Sequence, residues 1–352
     1  MWPARLAAAE AISHNVAMAT ISEALAMALQ HCEAGRFQAA EQIFRLILEA
    51  EPNYAVAHNN LGNVLQEQGN LEEAVIRYRR ALELRPDYAM AHSNLALTLY
   101  NLGRIEEAAA AARQWLQYAP DNPVALHLLA AYTGQGVSAR AADEYIKDTF
   151  NRFAGTFDRQ LQRLEYHAPE MVAAAVAAAC GAPQGTMAIL DAGCGTGWCG
   201  PALRPYARRL TGVDLSPAML AKARARQVYD DLIERELTVH LQASVGRYDL
   251  VVAADTLVYF GDLQPVLSAA AAALRPRGFL VFTVERAADD DDVAGRGFVL
   301  PPHGRYCHTE SYLRATLDAA GLSVRDMSFD FLRMERGKPV PGILASACKA
   351  DG

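Results

Sequence analysis

Ala188-Ile-Leu-Asp-Ala-Gly-Cys-Gly-Thr-Gly-Trp-Cys-Gly200, followed by Leu210-Thr-Gly-Val-Asp214, decides the fold of the second half of this chain. An apolar run ends in Asp191, and Gly193, Gly195 and Gly197 then open a helix. A second apolar run closes on Asp214. The order is strand, glycine-rich turn, helix, strand. The closing acid stands roughly 20 residues beyond the first glycine, the spacing at which a carboxylate meets the hydroxyls of a nucleotide ribose.

Glycine turns of this kind serve many nucleotides, and Asp191 narrows the choice. A dinucleotide site aims a helix N-terminus at a pyrophosphate, and a carboxylate beside it would repel that anion. The third glycine also follows the second by two residues, where the dinucleotide fingerprint needs three. A carboxylate here suits a ligand with positive charge, such as an amino-acid ammonium near a sulfonium. With Asp191, Gly193, Gly195, Gly197 and Asp214 in these places, the chain from about Tyr145 onward resembles class I S-adenosylmethionine-dependent methyltransferases. A glycine turn in an unrelated α/β protein is the competing reading. The resemblance implies an α/β Rossmann-like methyltransferase domain with a seven-stranded, mostly parallel sheet, and S-adenosyl-L-methionine as cofactor.

It also implies roles for particular residues. Leu215 and Met219 would cover an adenine face, behind the helix cap that Ser216-Pro217 supplies. Glu236 would be the acid near the adenine amine after the third strand, with residues 237–241 as a candidate for that strand itself. Tyr248 to Asp255 reads as a buried parallel strand, and Asp255 at its carboxyl edge is a candidate for the cofactor side and, with Tyr259, for the substrate side. Tyr259, Arg305 and His308 are the catalytic candidates. His308 would act as a general base because imidazole titrates near neutrality, against the alternative of a structural histidine at the next helix. Upstream, Tyr145, Phe150, Phe153 and Phe157 sit on a segment that folds as a lid in related enzymes, with Tyr166 touching the methionine moiety. Packing at helical spacing explains the phenylalanines equally well. The strands end in an antiparallel pair over 322–331 and 342–348.

Some acceptors are argued against. Enzymes that methylate DNA amines or protein glutamine carry Asn/Asp-Pro-Pro-aromatic after the fourth strand, where this chain has Ala254-Asp-Thr-Leu257. No cysteine stands there for attack on a cytosine. A formal net charge of −7 gives no general pull toward nucleic acid. A small molecule, a carrier-bound acyl group or a protein side chain remains, and the acceptor is otherwise unknown. The stretch also resembles biotin-pathway carrier-protein methyltransferases.

The first third repeats. Residues 55–88 and 89–122 align, with Leu61, Gly62, Gly69, Ala74, Tyr78, Ala81 and Pro86 returning as Leu95, Ala96, Gly103, Ala108, Ala112, Trp115 and Pro120. A looser copy spans 21–54, with Gly35, Ala40, Phe44, Ile47 and Pro52 in register. The pattern resembles the tetratricopeptide (TPR) repeat, so an all-α TPR solenoid over 21–134, with 123–134 as capping helix, precedes the enzyme domain. Such solenoids bind partners on a concave face. Asn59, Asn60, Asn63 and Glu67 would line it, then Ser93, Asn94, Leu97 and Asn101. Asn60 and Asn94 are equivalent positions suited to an extended protein or peptide, or alternatively to contacts between helices. The full division is a leading helix over 1–20, repeats over 21–134, linker and lid helices over 135–180, and the methyltransferase domain over 181–352.

At 352 residues the chain has room for two domains. No apolar run is long enough to span a bilayer, which makes a cytoplasmic location the default and no membrane the expectation. Six cysteines form no Cys-x-x-Cys pair and read as free thiols. Cys307 and His308 adjoin, but two neighbours do not make a metal site, and no metal is expected. A repeat adaptor with a vestigial methyltransferase domain is the alternative function. It would show a damaged glycine turn, and this one is intact.

Overall fold

The computed structural model describes residues 20–288 and 295–351. The expected leading helix over 1–20, apart from Thr20, and the acidic run Asp289 to Asp292 lie outside the described residues. The chain divides after Gln135 into two compact units.

The first unit is a stack of helix pairs, α1 (Ile21–Glu33) with α2 (Phe37–Ala50), α3 (Ala55–Glu67) with α4 (Leu71–Leu84), and α5 (Ala89–Asn101) with α6 (Ile105–Tyr118), closed by α7 (Pro123–Thr133). Thr20 opens α1 with a capping box to Glu23. The small residues at the repeat positions have a direct cause. A Cβ on Gly62 would lie 2.5 Å from the Tyr78 ring, which is fully buried over it. One repeat on, Ala112 replaces that ring, and Ala96 brings its methyl into the space released. Asn94 Nδ2 donates to Asn59 Oδ1 at 3.1 Å and to Asn63 Oδ1 at 2.8 Å, and Asn59 Nδ2 donates to Asn60 Oδ1 at 3.2 Å. Asn59 is wholly buried. The Asn94 amide thus binds adjacent repeats together, the role between helices that was the alternative for these positions.

The second unit is an open α/β sheet. Strands β1 (Met187–Ala192), β2 (Ala207–Asp214), β3 (Asp231–Glu234), β4 (Tyr248–Ala253) and β5 (Leu274–Arg286) run parallel in the order β3-β2-β1-β4-β5. Beyond β5, β9 (Lys338–Lys349) is antiparallel and carries β8 (Leu322–Glu335) outside it. Those are the seven strands expected. Two two-residue strands add to them: β7 (Cys307–His308) pairs with the carboxyl end of β5, and β6 (Phe298–Val299) with β7. Alternation along β1 covers both faces. Ile189 packs with Val172 and Val176 of α10 (Ala168–Cys180), while Leu190 faces Leu267 and Leu313 from α14 (Gln264–Ala273) and α15 (Glu310–Ala319).

Residues 237–241 are not a strand. They form α13 (Leu237–Gln242), because Glu236 caps the run by accepting Val239 N at 2.8 Å, and Leu237, His240 and Leu241 are buried at helical spacing. The remaining helices of the unit are α8 (Asp143–Phe153), α9 (Phe157–Arg163), α11 (Gly200–Leu203) and α12 (Pro217–Ala225).

Candidate active site

A cavity of about 230 Å³ opens at the carboxyl edge of β1, β2 and β4, where open parallel sheets bind ligands. The glycine turn shapes its floor. Gly193 N and Cys194 N donate to Val213 O, tying the turn to the end of β2. Gly193 has φ +72°, and a Cβ there would sit 2.3 Å from the Thr256 hydroxyl, so only glycine lets the β4 edge close over the turn. Gly195 N donates to Asp214 Oδ2 at 2.9 Å, and Ser216 N to Asp214 Oδ1 at 2.8 Å. Each oxygen keeps lone-pair capacity for a further donor. Burial raises the Asp214 carboxyl, against the pull of those backbone donors.

Asp191 is 2% exposed and accepts the Tyr229 hydroxyl at 2.6 Å. Burial pushes its carboxyl up to about 7, against the lowering effect of Tyr229 and with the help of the nearby Asp214 charge. Tyr229 carried no role in the sequence reading. Its position after α12 gave no local pattern to identify it.

Asp191, Gly193, Gly195, Asp214, Leu215, Glu236, Asp255, Tyr166, Tyr259 and Arg305 all border this one cavity. Three expected positions do not. Gly197 lies under Tyr229, whose ring would be 3.0 Å from an added Cβ, so its role is to let α12 and its extension pack close. Met219 is fully buried in α12, its backbone N donating to the Ser216 cap, and of the two only Leu215 borders the cavity. His308 is also fully buried. Its Nε2 faces Gly261 O at 3.0 Å, its ring stacks on Tyr312 at 5.9 Å, and burial drops it to about 4, against the raising effect of the Gly261 carbonyl. A neutral imidazole walled off from the cavity is no general base for it, and Thr309, not His308, caps the next helix.

Glu236 follows β3 directly, but both its oxygens are engaged, Oε2 by Val239 N and Oε1 by Arg140 at 3.1 Å. The 142–168 segment covers the turn. Asp158 Oδ1 accepts Thr196 Oγ1 at 2.5 Å and Trp198 Nε1 at 2.9 Å, while its Oδ2 pairs with Arg226 at 2.8 Å. Ser216 Oγ donates to Asn151 Oδ1 at 2.7 Å. Phe150 and Phe157 face the cavity, Tyr145 is buried, and Phe153 is exposed. Tyr166 packs edge-on to Trp198 at 6.3 Å.

The far wall is a buried charge network. Arg305 bonds Glu285 Oε1 and, through one nitrogen, Glu335 at 2.7 and 2.9 Å. Arg333 bonds Glu285, Glu335 at 2.6 Å and Asp255 Oδ2 at 2.8 Å. Burial acts to raise the Glu285 carboxyl, but Arg305 and Arg333 overcome it and hold it at about 2. Asp255 has φ +53°, its N donates to Thr283 Oγ1 at 2.8 Å, and its Oδ1 is buried with no hydrogen-bond partner among the described residues. Burial raises its carboxyl, against the pull of Arg333. Arg333 and Glu335 were missed because the strand was expected to end at 331. A bulge between Phe331 and Arg333 interrupts the alternation there, so no period-2 pattern carries the strand on to them.

Fold and cavity together define a methyltransferase of the open-sheet class. A family profile described as "Methyltransferase domain" matches residues 138–326, more than half of the chain, and the chain belongs to that family. It also carries tetratricopeptide repeats, for which profiles match residues 32–77, 62–103 and 91–122. It is 30% identical over 156 residues to a ubiquinone biosynthesis O-methyltransferase of Methylobacterium sp. (strain 4-46), covering 41% of this chain and 63% of that protein. It is 35% identical over 95 residues to a malonyl-[acyl-carrier protein] O-methyltransferase of Enterobacter lignolyticus (strain SCF1), 27% of this chain and 38% of that one. The chain thus spans less than two thirds of the length of these relatives. A solved Burkholderia thailandensis 1,6-didemethyltoxoflavin-N1-methyltransferase, with its substrate and S-adenosylhomocysteine bound, is 21% identical with a TM-score of 0.46, over 61% of this chain and 94% of that one. Among the described residues no helix is long and apolar enough to cross a membrane.

Proposed function

We propose that the enzyme transfers a methyl group to a hydroxyl on an apolar-bodied acceptor, with Asp255 taking the proton. Bound S-adenosylmethionine supplies an electrophilic methyl on a sulfonium. In this reading Asp214 accepts the ribose hydroxyls, Leu215 covers the base, and Gly193 and Gly195 let the backbone approach. Asp191 and Tyr166 stand toward the methionine end. The residues fit such a ligand: one open-sided carboxylate at the end of β2, and a second, buried and raised to about 7, whose ionised form a ligand ammonium would favour.

The observation that carries the acceptor side is Asp255 Oδ1, a buried oxygen without a partner beside the aromatic wall of Phe150 and Tyr259. Arg333 fixes the other oxygen, which leaves Oδ1 to orient a hydroxyl and receive its proton as the oxygen attacks. The relatives named as O-methyltransferases support oxygen as the acceptor atom. The small molecule and the carrier-bound acyl group both suit the apolar walls. The repeats serve recruitment of a protein partner, through side chains other than the asparagines bonded between repeats. The adaptor alternative loses weight because the glycine turn and both acids are whole.

Calorimetric titration with S-adenosylmethionine, S-adenosylhomocysteine and NAD tests the cofactor half. The first two bind in the micromolar range and NAD does not, and Asp191→Ala and Asp214→Ala each weaken binding without unfolding the chain. Asp255→Asn tests the other half, keeping cofactor affinity and lowering kcat about 100-fold or more on hydroxyl acceptors. An Asp255→Asn enzyme as fast as the native one would remove Asp255 from the chemistry.

A further inference from the structure

Behind the charge network, three side chains of different chemistry converge. Glu285 is the last residue but one of β5, Cys307 of β7 pairs with it, and His303 arrives on the preceding loop. His303 Nε2 lies 3.4 Å from Glu285 Oε2, Cys307 Sγ lies 3.6 Å from the same oxygen, and the sulfur and nitrogen are 4.0 Å apart. We infer that Glu285 Oε2, His303 Nε2 and Cys307 Sγ form a binding site for a zinc-class divalent cation, clamping the 303–307 loop to the end of β5.

Two edges of the triangle, 3.4 Å and 3.6 Å, have the right size, and the sulfur–nitrogen edge of 4.0 Å has to close by about 0.4 Å on binding. Zinc takes nitrogen and oxygen at about 2.0–2.2 Å and sulfur at about 2.3 Å in tetrahedral geometry, which places its donors about 3.3–3.6 Å apart. The mixed nitrogen, sulfur and oxygen set suits zinc or cobalt(II) better than magnesium or calcium, which prefer all-oxygen cages. Glu285 divides its two oxygens. Oε1 carries both guanidiniums, while Oε2 turns away to His303 and Cys307. Nor is added positive charge out of place, since three carboxylates (Asp255, Glu285, Glu335) surround two guanidiniums. Glu285 and Cys307 are buried, and His303 is 23% exposed, which provides an entry side.

Binding has a definite proton balance. The Cys307 thiol releases its proton to solvent, and the imidazole proton moves from Nε2 to Nδ1. Arg305 N now approaches Nδ1 at 3.3 Å, the long end of the hydrogen-bond range, so the tautomer change sacrifices a weak contact. The fourth position is left to solvent. The cation would act on the cavity only through Glu285, by fixing the carboxylate that holds Arg305 and Arg333. His303, Glu285 and Cys307 are positioning residues in this role.

The test uses the full chain, stripped with chelator, given one equivalent of zinc and passed over a desalting column. One zinc per chain should be retained. Cobalt(II) in its place should give the intense near-ultraviolet thiolate-to-metal absorption. Cys307→Ser should abolish that absorption, and His303→Ala should weaken metal affinity at least tenfold. If wild-type protein retains no metal, or the cobalt absorption survives Cys307→Ser, the site is wrong. Circular dichroism of both variants guards against misfolding. The wild-type retention and absorption decide the question even if one variant fails to fold.

Discussion

Asp191→Asn separates what the fold wants from what the site needs. The folded protein holds the Asp191 proton up to about pH 7, against 3.8 for an ordinary aspartate. Unfolding therefore releases a proton between those values. The contribution of this carboxyl is full below about pH 4, declines as pH rises, and levels off above about 7. Across that window the loss is about 4 kcal/mol. Asparagine does not titrate, and its Oδ1 can still accept the Tyr229 hydroxyl. Its NH2 finds no partner, which costs ~1–3 kcal/mol. The variant should be more stable than wild type by about 1–3 kcal/mol near pH 8 and less stable by a similar amount near pH 4, with the curves crossing between. Urea denaturation at a series of pH values measures this. Cofactor affinity should fall about tenfold or more, ~1.4 kcal/mol of lost attraction to the ligand's positive charge. A variant uniformly less stable at every pH would show that Asp191 is ionised at little cost, and the argument from burial would fail.

Gly62→Ala forces a methyl to within 2.5 Å of the Tyr78 ring and should destabilise the repeat unit by about 1–3 kcal/mol. Combined with Tyr78→Ala it reproduces the Ala96 and Ala112 pair, so a double-mutant cycle in urea should return at least ~1 kcal/mol of coupling. Arg333→Met leaves Asp255 unpaired and Glu285 with Arg305 as its one remaining guanidinium. The loss should be about 3–5 kcal/mol near neutral pH. Because Glu285 is lowered from 4.5 to about 2, that loss should shrink as pH falls through this range. Asp158→Ala removes the acceptor shared by Thr196, Trp198 and Arg226. Stopped-flow Trp198 emission should show cofactor leaving about tenfold faster, ~1.4 kcal/mol.

What the sequence made legible is what neighbours decide. Asp191, the glycine turn and Asp214 are joined by strand pairing and one turn, and the Val213 and Asp214 bonds to residues 193–195 complete them locally. The repeat is legible for the same reason, since Gly62 and Tyr78 belong to one helix pair. The far wall is different. Glu285, Arg305, Arg333 and Glu335 come from β5, a loop and β8, and no spacing rule relates them. Their partner Asp255 was recognised, but as a single acid at a strand end, with nothing to say which oxygen would be left over. His308 failed through the same gap. A histidine beside the expected active-site loop reads as exposed until β7 pairs with β5 and turns it inward. Sheet pleat then sends Cys307 to one face and His308 to the other. A one-residue difference in register would exchange them, bringing His308 toward Glu285 and burying the thiol against Tyr312. The choice between a base, a buried ring and a metal ligand is thus made by the pairing of a two-residue strand, which no local pattern specifies.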